Sequence, residues 1–326
     1  MAGSRRLTAV CCVLLVVGLP YVTRAAGADA ALSWMAGLPV YDHVVVVIEE
    51  NKDYEEVIGN PAADYINSVL RAEGATFTQM HGEEHNSQGN YFWLFSCNNH
   101  NVGLSDIVPD STNNPAYPFT ASSLGEQLIK RGLTFKAYSE SLPSIGFTKN
   151  LGPVGCNGDA CVYARKHVPW ISFKNVPNGK TRTTSSNLRF QDFPKDVSQF
   201  SKLPTVAFVV PNLENDMHNG TPDISVPRGD KWLRKNIDPY YQWAKSHNSL
   251  LILTFDENHD RDHFKGLTNP CIELGGITNT GHPAGHDEQN RTLTIFAGAA
   301  IKKGEYSRRI THVNILRTLE AMYGLP

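Results

Sequence analysis

The sequence predicts an α/β fold in which a mostly parallel central sheet carries helices on both faces. Short, almost uninterrupted apolar runs recur at 43–48, 206–210 and 250–255, and such runs are typical of parallel strands buried on both faces. Segments with helical periodicity alternate with the strands. This alternation predicts crossover connections between parallel neighbours.

The remaining elements follow from apolar periodicity and from the residues that end each segment. Helices are predicted at 63–72, 122–130, 231–245 and 311–323. Gly74, Gly132 and Gly324 terminate three of these helices, and Thr311 is the predicted N-cap of the last one. Further strands are predicted at 75–80, 134–138 and 292–297.

Two long irregular segments separate these elements. Residues 140–200 are rich in Pro, Gly, Ser and Asn, but Tyr163, Trp170 and Phe173 predict that this segment is ordered. Residues 258–291 form the second. Because loops of this length in compact domains are usually functional, we expect them to lie over the rim of the sheet where ligands bind.

The N-terminus has the pattern of a secretory signal peptide. Arg5 and Arg6 precede the apolar stretch Leu7–Val22, which is followed by the small residues Ala25 and Ala26. The stretch is short for a membrane span of about 20 residues, so we expect export, to the periplasm or outside the cell, without a stable membrane anchor. The chain then divides into a signal peptide at 1–25, a lead-in at 26–41 and a single domain at 42–326.

The charge balance argues against a nucleic-acid partner. Removal of Arg5, Arg6 and Arg24 with the signal peptide leaves 27 basic and 32 acidic residues, a net charge near −5. No basic stripe is present to meet a phosphate backbone. The small basic patch at Lys180–Arg182 is interpreted as a solvated loop. The oligomeric state does not follow from these features.

Four cysteines remain after the signal peptide: Cys97, Cys156, Cys161 and Cys271. An even count predicts disulfides in an exported protein. The spacing of Cys156 and Cys161 around an Asn-Gly turn allows a local bridge, although three pairings are open. A zinc site is the alternative, and a second closely spaced cysteine pair is missing for it.

Acidic and amide side chains follow two of the apolar strands directly. Glu50 and Asn51 follow the first strand, and Asp256 and Glu257 follow the strand at 250–255. Ligands of open α/β sheets bind beyond the carboxyl ends of the strands, and oxygen donors suit a divalent cation. For either strand end alone, the alternative is that the acidic and amide residues cap the helix that follows. Two acidic strand ends at one rim favour a metal site.

Ser87 lies just before the apolar helical stretch Phe92–Phe95, two residues after His85. Free amide groups and the dipole at a helix N-terminus bind phosphate. A cation beside the Ser87 hydroxyl would lower its pKa and make it a nucleophile. The simpler alternative is that Ser87 only caps the helix.

Histidines supply the remaining candidates. His218 closes the segment after the strand at 206–210, where it would act as a proton donor or phosphate ligand with Asp216 as its orienting partner. His312 opens the last helix. His282, His286 and Asp287 lie in the second long segment, where they would add a second metal site or shape substrate access.

These motifs, in this order, resemble the phosphoesterase family of secreted acid phosphatases and bacterial phospholipases C, within the alkaline phosphatase superfamily. The resemblance runs from about Asp42 to Pro326 and is closest to the short acid-phosphatase branch. It is carried by the segments Glu49–Asn51, His85–Tyr91, Tyr163–Trp170, Val209–His218, Thr254–Glu257 and Ile310–Pro326. The chain departs from the branch at Asn86 and Gly89, where many members have proline on both sides of the nucleophile. It also has Asn258–Asp260 in place of the usual acidic run, and a longer loop to Thr292.

The resemblance implies an alkaline phosphatase-like fold and a metal-dependent phosphatase acting on small phosphate esters, among them phosphoinositide head groups. By it, Glu50, Asn51, Asp256 and Glu257 would hold the metal. Ser87, His218 and His85 would be catalytic, and Asn90, Asp216 and His312 would bind the substrate. The alternatives are a phospholipase C-type phosphodiesterase and a non-catalytic secreted binding protein.

Overall fold

The buried valines of the first strand lie in the middle of a nine-stranded sheet. A computed structural model describes residues 37–102, 106–259 and 290–326, of which Pro39 onward belong to one compact unit. The predicted signal peptide, Cys271, His282, His286 and Asp287 lie outside the described residues. The signal peptide therefore stays a prediction.

The sheet is built mostly from parallel strands, as predicted. Its order is β10-β2-β9-β8-β1-β7-β3-β6, and β11 pairs with β2 outside this path. The strands are β1 (His43–Glu49), β2 (Ala75–His81), β3 (Phe135–Ser139), β6 (Asn187–Arg189), β7 (Val206–Val210), β8 (Ser249–Phe255), β9 (Arg291–Gly298), β10 (Gly304–Tyr306) and β11 (Ile310–Thr311). A separate two-stranded sheet joins β4 (Leu151–Gly152) to β5 (Tyr163–Ala164).

The α-helices are α1 (Tyr54–Val57), α2 (Ser87–Ser96), α3 (Leu124–Lys130), α4 (Pro222–Asn236), α5 (Asp238–Ala244) and α6 (His312–Tyr323). Residues Ile66–Arg71 form a π-helix, and short 3-10 helices lie at Gly158–Ala160, Arg165–His167, Pro169–Ser172, Phe190–Asp192 and Val197–Lys202. The predicted stop of α6 is confirmed: Gly324 has a φ of 61°, the left-handed conformation that glycine adopts without strain.

The central strand explains why the sheet is stable in this order. β1 pairs in parallel with β7 on one side and β8 on the other, and Val44 to Val47 are completely buried. Full burial of such side chains contributes roughly 1.5–3 kcal/mol each. The apolar runs that predicted these strands are therefore buried because both faces of the sheet are covered.

Several elements differ from the sequence prediction. β9 runs antiparallel to both β2 and β8, a direction that its composition does not reveal. The helix expected at 231–245 begins earlier, at Pro222, and is interrupted at Ile237. The interruption has a local cause, because Pro239 has no N–H with which to continue the ladder of α4.

The segment 140–200 is ordered, as expected from its aromatic residues: Tyr163, Trp170 and Phe173 are all buried. It is also more regular than expected. Its strand β6 extends the main sheet by pairing in parallel with β3. Three residues are too few for a recognisable period-two pattern, so β6, like β10 and β11, was missed.

Cys156 and Cys161 form a disulfide with a Cα–Cα distance of 5.2 Å. This bridge excludes the alternative of a zinc site on that pair. Cys97 is disulfide-bonded as well. Among the described helices, none combines the length and the apolar character that a membrane span requires.

Burial of His100 predicts a loss of stability in acid. Its ring stacks on Phe119 with centroids 4.3 Å apart, and burial lowers the pKa of His100 from 6.5 to about 4. Because the pKa of His100 is lower in the folded than in the unfolded protein, the stabilising contribution of the neutral ring is fully present above pH 6.5. It is lost as the pH falls towards 4, and the free energy of unfolding then decreases by as much as about 3 kcal/mol.

We expect His100→Asn, which tolerates the positive φ of 53° at this residue, to flatten the pH dependence of the unfolding free energy between pH 6.5 and 4. The measurement is urea denaturation of both proteins across this range. Equal slopes for wild type and variant would contradict the assignment.

Candidate active site

The site lies at the carboxyl ends of three neighbouring strands. Backbone hydrogen bonds continue past the sheet and join the strand ends: the amide of Glu50 donates to the carbonyl of Asp216 (2.7 Å), and the amide of Asp256 to that of Glu49 (3.0 Å). The amide of Lys52 donates to the carbonyl of Glu257 (3.2 Å). The parallel order β7-β1-β8 therefore sets four carboxylates beside each other.

Ser87 reaches the same place from the start of α2. Asn86 is the N-cap and Ser87 is the first residue of α2, so the interpretation of Ser87 as the cap is wrong. Its Oγ lies 3.1 Å from Glu50 Oε2 and 3.2 Å from Glu257 Oε1, and the residue is completely buried. The hydroxyl thus stands between acidic groups from two strand ends.

The carboxylates are buried almost without solvent contact. Glu50, Asp216, Asp256 and Glu257 are each at most 1% exposed. Burial raises the pKa of Glu50 to about 7, against the opposing charge of Lys166 and the hydrogen bond from Tyr91. Burial, followed by the charge of Glu50, raises the pKa values of Asp216 and Asp256 well above their usual range.

These groups fit a divalent cation. The outer oxygens Asp216 Oδ2 and Asp256 Oδ2 are buried and accept no hydrogen bond from the described residues. Within the described ranges no three His, Cys, Asp or Glu side chains are already grouped as metal ligands, so the fit rests on donor chemistry. Several buried carboxylates with unpaired oxygens are the set that a hard cation stabilises.

Asn51 contributes through its backbone. It has a φ of 49°, its amide donates to Asp256 Oδ1 (3.1 Å), and its carbonyl accepts from Lys52 Nζ. Its carboxamide forms no hydrogen bond with the described residues, so it is available as an oxygen ligand.

Lys52 is a site residue that the sequence did not reveal. It is 1% exposed, and its Nζ donates to the carbonyls of Asn51 and Met217, both at 2.8 Å. Burial lowers its pKa, although Glu56, Asp216 and Glu50 oppose this effect. The ammonium group therefore ties the ends of β1 and β7 together and offsets part of their negative charge. In the sequence, the position of Lys52 directly after Glu49–Asn51 was the only indication of this role.

Tyr91 and His167 contact the far oxygen of Glu50. Tyr91 donates its hydroxyl to Glu50 Oε1 (2.6 Å), and His167 Nε2 lies 3.2 Å from the same atom. The two rings stack with centroids 4.9 Å apart. Both residues fall in segments that carried the family resemblance, but neither follows a strand that the sequence predicts, so position gave no reason to assign them a role.

His85 and Asn90 surround Glu257. His85 Nδ1 lies 3.2 Å from Glu257 Oε2, and its Nε2 is 2.6 Å from Asn258 Oδ1. Asn90 donates to the same Glu257 oxygen (3.2 Å) and to the carbonyl of Glu84 (2.7 Å). The structure therefore gives both residues partners that orient Glu257.

Asp216 and His218 are arranged differently from the expectation. Asp216 Oδ1 accepts the backbone amide of His218 (2.8 Å), whereas the ring Nδ1 of His218 faces Asn219 Oδ1 (3.0 Å). Asn219, and not Asp216, orients the imidazole. The reason is the tight turn at Met217, with a φ of 75°, which places the backbone amide of His218 against Asp216.

His312 lies behind the site. Its Nδ1 is 2.6 Å from Glu83 Oε2 and its Nε2 is 2.8 Å from the carbonyl of Phe255. Burial lowers its pKa, but the Glu83 carboxylate outweighs this effect and the pKa is raised. Both ring nitrogens have partners within the protein, so His312 anchors α6 to the end of β8.

The sheet has the fold of the alkaline phosphatase superfamily, as two solved structures show. A protein of the alkaline phosphatase superfamily from Vibrio parahaemolyticus superposes with a TM-score of 0.54 and 10% identity, over 87% of this chain and 67% of that one. The lipoteichoic acid synthase LtaP of Listeria monocytogenes superposes with a TM-score of 0.51 and 11% identity, over 91% and 78%.

The chain belongs to the phosphoesterase family, whose model matches residues 61–326, and is a hydrolase of phosphoric ester bonds. It is 37% identical to a phosphatidylinositol-3-phosphatase of Mycobacterium tuberculosis, over 100% of this chain and 92% of that protein. It is 30% identical to a probable acid phosphatase of Kluyveromyces lactis, over 71% and 51%. The chain spans about half the length of the acid phosphatases that it matches. The family membership leaves no support for a non-catalytic binding protein.

Lys52→Met tests the buried ammonium. Its loss leaves two carbonyls unpaired beside several carboxylates, and we expect the free energy of unfolding to fall by about 3–5 kcal/mol. The measurement is urea denaturation. Lys245→Met is the control, because Lys245 pairs with Glu73 at the surface and should change stability by at most about 1 kcal/mol. Equal effects of the two substitutions would refute the role of Lys52.

Proposed function

We propose that this protein is an exported, metal-dependent acid phosphatase that hydrolyses phosphate monoesters through a phosphoserine on Ser87. The observation that carries the proposal is the position of Ser87 Oγ, 3.1 Å from Glu50 and 3.2 Å from Glu257 at the first residue of a helix. Residues 42–326 would form its single catalytic domain.

Ser87 would attack phosphorus in line with the ester bond. Its hydroxyl proton passes to Glu50 or Glu257, the two groups within hydrogen-bonding distance, as the new O–P bond forms and the alcohol oxygen leaves. Water then attacks the phosphoserine and gives a proton to His218, the bond between Ser87 Oγ and phosphorus breaks, and the carboxylate returns its proton to Ser87 Oγ, which releases phosphate and restores the serine. The backbone amides of the first turn of α2 favour the phosphate charge throughout.

Glu50, Asn51, Asp256 and Glu257 would hold the cation. Asp216 is a further ligand candidate, because its Oδ2 accepts no hydrogen bond from the described residues and lies 3.8 Å from His167 Nδ1. When bound, the cation neutralises these carboxylates, lowers the pKa of the Ser87 hydroxyl and polarises the phosphate. Asp216 was expected to contact substrate. A buried carboxylate repels a phosphate, so a place among the metal ligands suits it better.

His218 would donate the proton to the leaving oxygen. It is half-buried at the rim, and its Nδ1 is held by Asn219, which leaves Nε2 for the substrate. Burial lowers its pKa, and Lys166 lowers it further, so its protonated form is favoured in acid. This supports an acidic working range.

The substrate would be a small phosphate ester, with phosphoinositide head groups among the candidates. Support comes from the relative of Mycobacterium tuberculosis, a phosphatidylinositol-3-phosphatase that aligns over the whole chain. The signal-peptide pattern of residues 1–25 supports export.

Ser87→Ala should reduce hydrolysis of an aryl phosphate by about a thousandfold or more, because the nucleophile is lost. Ser96→Ala, in the same helix, is the matched control and should retain activity. Product release is measured for both variants after their fold is checked by circular dichroism. Turnover of Ser87→Ala at the wild-type rate would exclude the phosphoserine route.

Removal of the metal should abolish activity, and one divalent cation should restore it. Metal content by mass spectrometry gives a second readout: Asp256→Asn should lose bound metal, whereas Asp223→Asn, at the exposed start of α4, should keep it. An active wild-type protein without metal after chelation would contradict metal dependence.

A further inference from the structure

A second polar cavity lies outside the carboxylate cluster, and we call it the basic cavity. Its volume of about 660 Å³ falls within the roughly 300–1,000 Å³ typical of small-molecule sites. It is lined by residues 140–142 after β3, by Arg189 at the end of β6, by residues 190–191 and Lys195 after β6, by Asn215, and by one face of α4. None of the residues assigned to the candidate active site lines it.

The lining is strongly cationic. Its positive side chains are Arg189, Lys195, Arg228, Lys231 and Lys235, against the single carboxylate of Glu140. Arg228, Lys231 and Lys235 recur at helical spacing, so α4 presents them on one face. This concentration of positive charge stands out in a chain whose formal net charge is −2.

Two of these cations are paired, and three are not. Arg189 pairs with Asp192 (3.0 Å) and Arg228 with Glu214. The side chains of Lys195, Lys231 and Lys235 are exposed and form no ion pair or hydrogen bond with the described residues. Three lysines facing one cavity repel each other unless an anion lies between them.

Glu140, the acidic residue of the basic cavity, already accepts hydrogen bonds from other residues of the protein. Glu140 Oε1 accepts from Trp232 Nε1 (3.0 Å), and Oε2 accepts from the amide of Asn212 (3.0 Å) and the carboxamide of Asn215 (2.9 Å). These bonds turn the carboxylate towards the wall, so it does not serve as a partner for the lysines. Trp232 packs on Phe190 with centroids 4.9 Å apart and forms an apolar floor.

We propose that the basic cavity is a binding site for a small molecule with more than one phosphate or comparable anionic group. Three unpaired cations call for more than one negative charge. Ser141, Gln191, Asn215 and Asn236 supply polar groups for hydroxyls beside them. The ligand is either a free phosphorylated molecule or the head group of a phosphorylated lipid. The proposal does not depend on the chemistry at Ser87.

The test uses inositol hexasulfate, a soluble polyanion with no phosphate ester to hydrolyse. Binding to the full chain is measured by calorimetry and by the change in intrinsic tryptophan emission, to which Trp232 contributes. Lys231→Gln/Lys235→Gln should weaken binding about tenfold or more, because two charge-assisted contacts are lost. Lys174→Gln/Lys302→Gln, with the same charge change at exposed lysines elsewhere, should bind as wild type does.

Absence of binding to wild type, or equal weakening in both double variants, would overturn the proposal. Hydrolysis of an aryl phosphate by Lys231→Gln/Lys235→Gln should stay at the wild-type rate, which separates this outcome from failure of the catalytic proposal.

Sedimentation with phosphatidylcholine vesicles containing phosphatidylinositol bisphosphate, in the Ser87→Ala background, distinguishes the sources. Sedimentation that Lys231→Gln/Lys235→Gln abolishes would assign the site to a lipid head group. Binding of inositol hexasulfate without sedimentation would assign it to a free ligand. If the double variant keeps both sedimentation and inositol hexasulfate binding, both assignments are contradicted.

Discussion

The whole site depends on the parallel alignment of three strand ends. β1 lies between β7 and β8, so whatever follows these strands must meet at one edge of the sheet. Because α2 and the segment that contains His167 cover this edge, the carboxylates there are buried from solvent. Burial of several negative groups together is costly unless positive charge accompanies them.

The protein supplies part of this positive charge itself. Lys52 donates hydrogen bonds to two carbonyls beside the carboxylates. Lys166 is paired with Asp106, and its positive charge opposes the rise in the pKa of Glu50. Tyr91 adds a hydrogen bond to Glu50. Asp216 Oδ2 and Asp256 Oδ2 nevertheless accept no hydrogen bond from the part of the chain that the structure describes. This incomplete compensation supports the proposal that a divalent cation completes the site.

The sequence was informative wherever a signal is local. Fully buried strands have apolar runs, and residues that follow such strands must lie at the rim, so the positions of Glu50 and Asp256 could be predicted. The closeness of Ser87 to Glu50 and Glu257 was indicated mainly by the family resemblance. Strand direction and very short strands have no local signature, which is why the antiparallel β9 and the edge strand β6 were missed. Lys52, Tyr91 and His167 were missed because their roles arise from packing between distant segments. The expected ring partner of His218 was Asp216, but the observed partner is Asn219. The sequence did not reveal this because it depends on the turn at Met217.

The central claim is that these strand ends hold a cation beside the Ser87 hydroxyl. Anomalous scattering from a crystal of the metal-loaded protein tests it most directly. The account predicts a divalent ion with Glu50, Asp256 and Glu257 oxygens at roughly 2.0–2.6 Å and Ser87 Oγ next to it. An ion bound elsewhere, or one that leaves these carboxylates without contact, would contradict the account.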